Sequence, residues 1–202
     1  MTPMAEEKAM LREQGLAERR GLSLRERREK SVQIREHLQQ MTEFERASLV
    51  LTYVGAKDGE VETLPLIAAL VHAGRRVAVP SIVARGYMIW RRISGIDQFS
   101  GSRFGIPEPR KECPEIKRIP TDAVILVPGI LYSPTGYRIG YGGGYFDRFL
   151  RDFVGTSIGV AFHMQVKNNL PVAPHDVPVD RLITDMEILD CATLRQGSRL
   201  DT

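Results

Sequence analysis

The stretch Asp122-Ala-Val-Ile-Leu-Val127 places five apolar residues in a row, with no polar alternation. A strand with one wet face alternates apolar and polar side chains, whereas a strand covered on both faces has no need to. The run therefore predicts an interior strand of a parallel sheet. Downstream, Phe146, Phe149, Leu150 and Phe153 recur at i, i+3, i+4 and i+7, a helical seam that begins after Tyr145. Residues 156–162 and 182–189 read as two further strands.

Upstream, residues 47–54 contain Leu49-Val-Leu-Thr-Tyr-Val54, a β-rich run that predicts a strand closed by polar residues 55–59. Thr63 is the expected cap of the next helix, with Pro65 in its first turn, Leu64, Ile67, Ala68 and Val71 along one side, and Gly74 as its end. Residues 77–80 and 87–93 predict two more strands, and the Gly- and Pro-rich residues 95–120 a long excursion of the kind that often carries function. Residues 4–41 read as two helices parted at Gly21. The second opens with Ser23 and Glu26 at capping-box spacing and carries Val32, Arg35, Leu38 and Met41 as its stripe. Strands alternating with helices predict an α/β protein, a single domain over residues 1–202, built on an open, mainly parallel sheet with helices on both faces.

Composition narrows the function classes. With 202 residues and 43% hydrophobic content, the chain can bury a core without disulfides or a metal scaffold. Its longest apolar runs fall far short of the roughly 20 residues a bilayer span requires, so no membrane association is expected. The first residues contain no apolar leader, and Cys113 and Cys191 form neither a CxxC pair nor a disulfide framework, so a cytoplasmic chain is expected. The pI near 9.0 hints at nucleic acid. Residues 1–30, however, hold eight Lys/Arg against six Asp/Glu, the mixed pattern of a solvated helix face, and no nucleic-acid partner is expected. His37, His72, His163 and His175 show neither a nucleophile elbow nor paired metal spacing.

The densest chemical signal is Arg138-Ile-Gly-Tyr-Gly-Gly-Gly-Tyr-Phe-Asp-Arg148. Gly140, Gly142, Gly143 and Gly144 remove the side chains that would keep a backbone from wrapping an anion, and the loop runs straight into the Phe146 helix. Arg138 and Arg148 flank it. A phosphate cradle and a tight strand-to-helix turn are both open readings, because the spacing is neither that of a P-loop nor GxGxxG. Asp147, in the first helical turn, either complements the helix dipole or offers Mg²⁺ a hard oxygen beside bound phosphate.

These residues also carry a resemblance. Val127-Pro-Gly-Ile130 followed by Gly136-Tyr-Arg-Ile-Gly-Tyr-Gly-Gly-Gly-Tyr-Phe-Asp-Arg148 resembles the signature of the 5-formyltetrahydrofolate cyclo-ligase family. Lys8-x-x-Leu-Arg12 with Arg19 and Arg20, Gly59-Glu-Val-Glu-Thr63, Phe104-Gly-Ile-Pro-Glu-Pro109, Gly159-Val-Ala-Phe-x-x-Gln165 and Asp176-Val-Pro-Val-Asp-Arg-Leu-Ile-Thr184 resemble further family segments in the family's order, over about residues 8–187. The resemblance implies a Rossmann-like fold and an ATP- and Mg²⁺-dependent closure of 5-formyltetrahydrofolate to 5,10-methenyltetrahydrofolate, with ADP and phosphate released.

Carried over residue by residue, the resemblance implies ATP contacts from Lys8 and Arg12 and from Arg138, Gly140, Tyr141, Gly142, Gly143, Gly144, Tyr145 and Phe146. It implies substrate contacts from Val54, Glu60, Phe104 and Tyr145, and Mg²⁺ ligands at Asp147 and Asp180. The partners implied are a reduced folate and ATP, with the chain a monomer. One position departs: where the family commonly carries an Asp after Val-Pro-Gly and a short apolar run, this chain has Ser133. A non-catalytic folate- or nucleotide-binding homologue of the same fold is the alternative that this departure supports.

Overall fold

The computed structural model describes residues 2–55, 57–101 and 106–197. Two helices lead, α1 (Pro3–Arg20) and α2 (Leu24–Gln40), parted at Gly21 as expected. The reciprocal Ser23–Glu26 capping box opens α2. Its buried stripe is Ser31, Ile34 and Leu38, continued by Met41. Leu38 and Met41 are buried as expected, but Val32 is exposed and Arg35 lies at the margin, so Ser31 and Ile34 take the first two places of the stripe. After the short α3 (Thr42–Arg46) come β1 (Val50–Leu51), α4 (Leu64–His72), β2 (Val77–Ala84) and β3 (Tyr87–Ile93). The excursion carries β4 (Phe99–Ser100) and β5 (Glu108–Pro109). There follow β6 (Val124–Pro128), β7 (Leu131–Tyr132), β8 (Arg138–Ile139), α5 (Tyr145–Leu150), β9 (Thr156–Val160), β10 (Arg181–Ile183), β11 (Ile188–Asp190) and α6 (Cys191–Gly197).

Seven strands form the main sheet in the order β11-β10-β9-β6-β1-β2-β3. Its interior pairs are parallel and both edge pairs antiparallel. Alternation along β6 sorts its apolar run onto two faces, as a pleated strand must. Val124 and Leu126 join Ile34, Leu38, Ile67 and Leu70 from α2 and α4, while Ala123, Ile125 and Val127 join Leu150, Phe146, Phe149 and Phe153 around α5. The expectation of helices on both faces is met.

Several local expectations need correction. The strand expected over 47–54 is ladder-bonded only near Val50–Leu51, extended by Thr52 N–H to Ala78 O and Val124 N–H to Leu49 O. Residues 53–55 then leave the sheet. The strand expected to stop at Pro80 continues to Ala84, because beyond Ala78 only β3 flanks it and a missing proline N–H costs nothing on an open side. Residues 182–189 are a hairpin, not one strand: the Thr184 hydroxyl accepts hydrogen bonds from the amides of Met186 and Glu187 and reverses the chain. Thr63 precedes α4 without capping it, its hydroxyl donating to Tyr53 O at 2.7 Å and accepting from Gly55 N–H at 2.8 Å. Helix α4 buries Ile67, as expected, together with Leu66 and Leu70, while Leu64 and Val71 pack half-buried against the same core.

Candidate active site

Strand order reverses between β1 and β6: β2 and β3 lie on one side of β1, and β6, β9 and β10 on the other. Open α/β sheets bind ligands in the crevice outside the carboxyl ends of the strands at such a switch point. Here the crevice is bordered by residues 57–60 after β1 and by Gly129 after β6.

Helix α1 lies along this border through Lys8, Arg12, Gly15 and Arg19, at i, i+4, i+7 and i+11 on one face. Gly15 permits the approach, since a Cβ there would stand 2.8–2.9 Å from the side chains of Leu131 and Ile130. Lys8 pairs with Asp176, whose Oδ2 also accepts the Ala173 amide. Arg12 donates Nε–H to Gly140 O at 2.7 Å. Neither is a free surface charge; both fasten the helix to loops.

Arg19, to which the family resemblance assigns no contact, is the most telling residue on this face. Only 1% exposed, it donates Nε–H to Asp58 O at 2.8 Å, Nη1–H to Gly129 O at 3.2 Å and Nη2–H to the Tyr141 hydroxyl at 2.6 Å. The α1 stripe is polar, so a search for apolar periodicity passes over it; the i, i+4, i+7 spacing of Lys8, Arg12 and Gly15 was the available signal.

The β7–β8 hairpin delivers the glycine loop. Gly142 and Gly144 have φ of 92° and 63°, a region that side chains with a Cβ rarely adopt. A Cβ on Gly143 would meet the Tyr145 ring at 2.6 Å. Arg148 bonds Gly143 O and donates Nε–H to Gly86 O at 2.8 Å, tying the loop to the β2–β3 turn. Tyr145, Arg148, Phe149 and Phe153 border a cavity of about 340 Å³ with Gly86 and Tyr87. Helix α5 has only six residues and no side-chain cap, so its dipole is smaller than the sequence suggested.

Ser133 sits in the same hairpin. Its hydroxyl accepts the Tyr137 amide at 3.1 Å and lies 2.8 Å from that of Thr135. The departure from the family's usual Asp thus falls on a residue that shapes a turn, and a hydroxyl serves that purpose as a carboxylate would.

Glu60 is buried, 8% exposed, and its carboxylate accepts the Lys57 amide. Tyr141 titrates well above the ordinary tyrosine range, first because its hydroxyl is removed from water and then because of the Glu60 charge; Tyr53 is raised by the same two causes in the same order. The Glu60 charge thus acts on both phenols. Lys57 Nζ lies 4.8 Å from the centre of the Tyr141 ring. Val54 is buried in the core. Phe146 likewise packs its ring into the second core. Phe104 lies outside the described residues.

Arg138, with a side chain only 4% exposed, donates to Asp147 Oδ1 at 2.8 Å and to Val177 O at 2.7 Å, so it braces Asp147. Asp147 Oδ1 also accepts the Val177 amide at 3.2 Å. With Oδ1 so held, a quarter-exposed carboxylate beside the glycine loop suits a cation that prefers one or two carboxylates plus phosphate oxygens. Asp180 has different partners, its Oδ2 accepting the Ser157 amide at 2.8 Å and hydroxyl at 2.6 Å. No described side chain bonds both carboxylates. Among the described residues, no group of three or more His, Cys, Asp or Glu gathers at one point.

Fold and site define an α/β protein in which a glycine loop, braced by an N-terminal helix, borders the switch-point crevice of a mainly parallel sheet. The sequence profile of the 5-formyltetrahydrofolate cyclo-ligase family matches residues 4–185, and the chain belongs to that family of enzymes. It is 28% identical over 136 residues to the 5-formyltetrahydrofolate cyclo-ligase of Escherichia coli K12, covering 65% of this chain and 75% of that one. It is 26% identical over 151 residues to that of Haemophilus influenzae, covering 72% and 80%. The structure of Aquifex aeolicus 5,10-methenyltetrahydrofolate synthetase superposes with a TM-score of 0.80 at 32% identity over 91% of this chain and 92% of the other. The fold is shared with a Mycoplasma pneumoniae synthetase at a TM-score of 0.69 and 23% identity.

Proposed function

We propose that this chain is an ATP- and Mg²⁺-dependent cyclo-ligase that converts 5-formyltetrahydrofolate to 5,10-methenyltetrahydrofolate, releasing ADP and phosphate. The observation that carries the reading is the tether of Arg12 to Gly140, which holds a cationic helix face against a glycine loop, with the buried carboxylate of Glu60 in the segment after β1. An N-formyl group is amide-like and a poor electrophile, and its oxygen is a poor leaving group. Transfer of the γ-phosphoryl group to that oxygen, with ADP departing, gives an imidate-like phosphate; N10 then attacks the formyl carbon and gives up its proton, and the C–O bond breaks as inorganic phosphate leaves and carries that proton.

In such a reaction the protein acts by positioning and by neutralising charge. Arg12 brings positive charge to the loop, whose glycine amides would be the donors to the phosphates; Lys8 adds its charge there only if it exchanges its Asp176 partner. The buried Glu60 carboxylate suits the N–H donors of a pterin ring. Asp147 is the residue to hold Mg²⁺, which when bound neutralises phosphate charge. Asp180 serves as a second ligand only if it exchanges its Ser157 contacts.

The test is absorbance at the methenyltetrahydrofolate band after mixing the protein with 5-formyltetrahydrofolate, with and without MgATP. Product should accumulate only with ATP and Mg²⁺ together. Equal product with a non-hydrolysable ATP analogue would remove the phosphorylation step. Binding of both ligands without product would favour the non-catalytic homologue, but the turn-forming contacts of Ser133 speak for the catalytic reading.

A further inference from the structure

We infer that Arg19 is a positioning residue that locks the Glu60-bearing segment and the glycine loop into one arrangement across the switch-point crevice. The inference rests on the function proposed above and adds a residue to it. The guanidinium stands where the two halves of the sheet diverge. One arm reaches Asp58 O in the segment after β1, a second reaches Gly129 O directly after β6, and the third reaches the Tyr141 hydroxyl within the glycine loop. Asp58 is two residues from Glu60, and Tyr141 lies between Gly140 and Gly142. A single rigid, planar cation thus spans the segments expected to meet the reduced folate and the nucleotide.

The surroundings keep this contact in place. Gly59 backs directly onto the helix, since a Cβ there would stand 3.1 Å from Arg19 O in a backbone with φ of 73°. Burial pushes the Asp58 carboxyl up, but its pairing with the neighbouring Arg20, together with the Lys57 charge and the Tyr141 hydroxyl, holds it below its ordinary range. Gln165 donates to Gly129 O at 3.0 Å and to Ile130 O at 2.8 Å, so the carbonyl that Arg19 uses is itself fixed. A buried cation that served only to dock α1 would need no partner on the glycine loop. The third bond, to Tyr141, links the two halves of the site.

Lysine cannot reproduce the fork, because an ammonium is a point charge and the three acceptors lie in different segments. In Arg19→Lys, kcat/KM is expected to fall at least tenfold toward both ATP and 5-formyltetrahydrofolate, carried mainly by KM. Tyr141→Phe alone is expected to raise both KM values, and in the Arg19→Lys background to add less than it does alone, because the bond is already lost. Hydrogen–deuterium exchange on the full chain supplies a readout independent of turnover: amides of residues 57–60 and 140–144 should gain exchange together in Arg19→Lys, with β6 and β9 unchanged. Additive kinetic effects, or faster exchange in only one of the two segments, would overturn the inference. If Arg19→Lys fails to fold, Tyr141→Phe decides: unchanged exchange at 57–60 in that variant overturns it, and a joint increase supports it. Wild-type protein without turnover would instead remove the functional reading, while the exchange result would still decide whether Arg19 joins the segments.

Discussion

Arg12 Nε–H and the carbonyl oxygen of Gly140 meet at 2.7 Å across 128 positions of sequence, joining the first helix to the first glycine of the loop. The contact orients the guanidinium and holds the loop at one point, while the other nitrogen atoms remain to meet an anion. A Cβ on Gly142 would stand 3.7 Å from Arg12 Nη2, so the cation also runs beside the second glycine.

Arg12→Ala should therefore weaken nucleotide binding more than folate binding. We expect the KM for ATP to rise by about tenfold or more, the loss of a charge-assisted contact worth roughly 1.5–3 kcal/mol, with a smaller change in the KM for 5-formyltetrahydrofolate. Steady-state kinetics with each substrate varied in turn is the check. Equal changes in both KM values would place Arg12 outside the nucleotide site.

Gly143→Val tests the loop at a different point. The ideal Cβ falls 2.6 Å from the Tyr145 ring, and the valine branches would push that ring from its place above the 340 Å³ cavity. A folded variant should show a sharply raised KM for ATP or no activity, with the sheet intact by circular dichroism. Unchanged ATP kinetics would make Gly143 a simple turn residue.

The sheet was legible because both-face burial writes itself as uninterrupted apolar runs, as in Ala123–Val127, and the α5 seam because Phe146, Phe149, Leu150 and Phe153 keep a helical period even after the helix proper ends at Leu150. What escaped was set by polar contacts between distant segments. The Arg19 fork joins positions 39, 110 and 122 residues away, and no local pattern encodes it. The hairpin at Thr184 was missed because its apolar flanks, Leu182-Ile183 and Ile188-Leu189, read as one run until the threonine hydroxyl is seen to collect two amides. Within the site, the glycine loop and Glu60 came from residues and resemblance together, whereas the brace on Asp147 from Arg138 required coordinates.

Cys191 offers a test of burial. Removal from water pushes its thiol up to about 12 from an ordinary 9.0, and the residue, the first of α6, is fully buried. The folded protein should resist iodoacetamide at pH 8 at this position, as read by mass spectrometry of the peptide containing Cys191, while the denatured chain labels readily. The native thiol keeps its proton at pH values where the unfolded one has lost it. Its contribution to stability is therefore flat below about pH 9 and declines as pH rises toward about 12.

Ser133→Ala should loosen the hairpin that carries the glycine loop. The Tyr137 amide loses its acceptor in a buried turn, a cost of about 1–3 kcal/mol that thermal melting can measure. Ser133→Asp restores an acceptor at the same point and should retain activity. An inactive but folded Ser133→Asp would show that the position does more than shape the turn.

Asp147→Asn separates holding the fold from holding a metal. The asparagine carbonyl can still accept from the Arg138 guanidinium and the Val177 amide, the two contacts Oδ1 makes, so the local architecture should persist with the loss of one charge-assisted bond. If Asp147 only complements the short α5, stability falls by about 1 kcal/mol and the rate stays near wild type. If it holds Mg²⁺, a neutral amide is a poor ligand for a hard cation; activity should collapse in a folded protein and recover only partly, if at all, at high Mg²⁺. Asp180→Asn in parallel reads the second carboxylate. Its Oδ2 serves Ser157, so loss of stability with a preserved Mg²⁺ dependence of rate would assign Asp180 to the fold and leave Asp147 to carry the metal. A Mg²⁺ titration of rate and a melting curve on each variant distinguish these outcomes, and a near-wild-type rate for Asp147→Asn at limiting Mg²⁺ would take Asp147 out of the metal site.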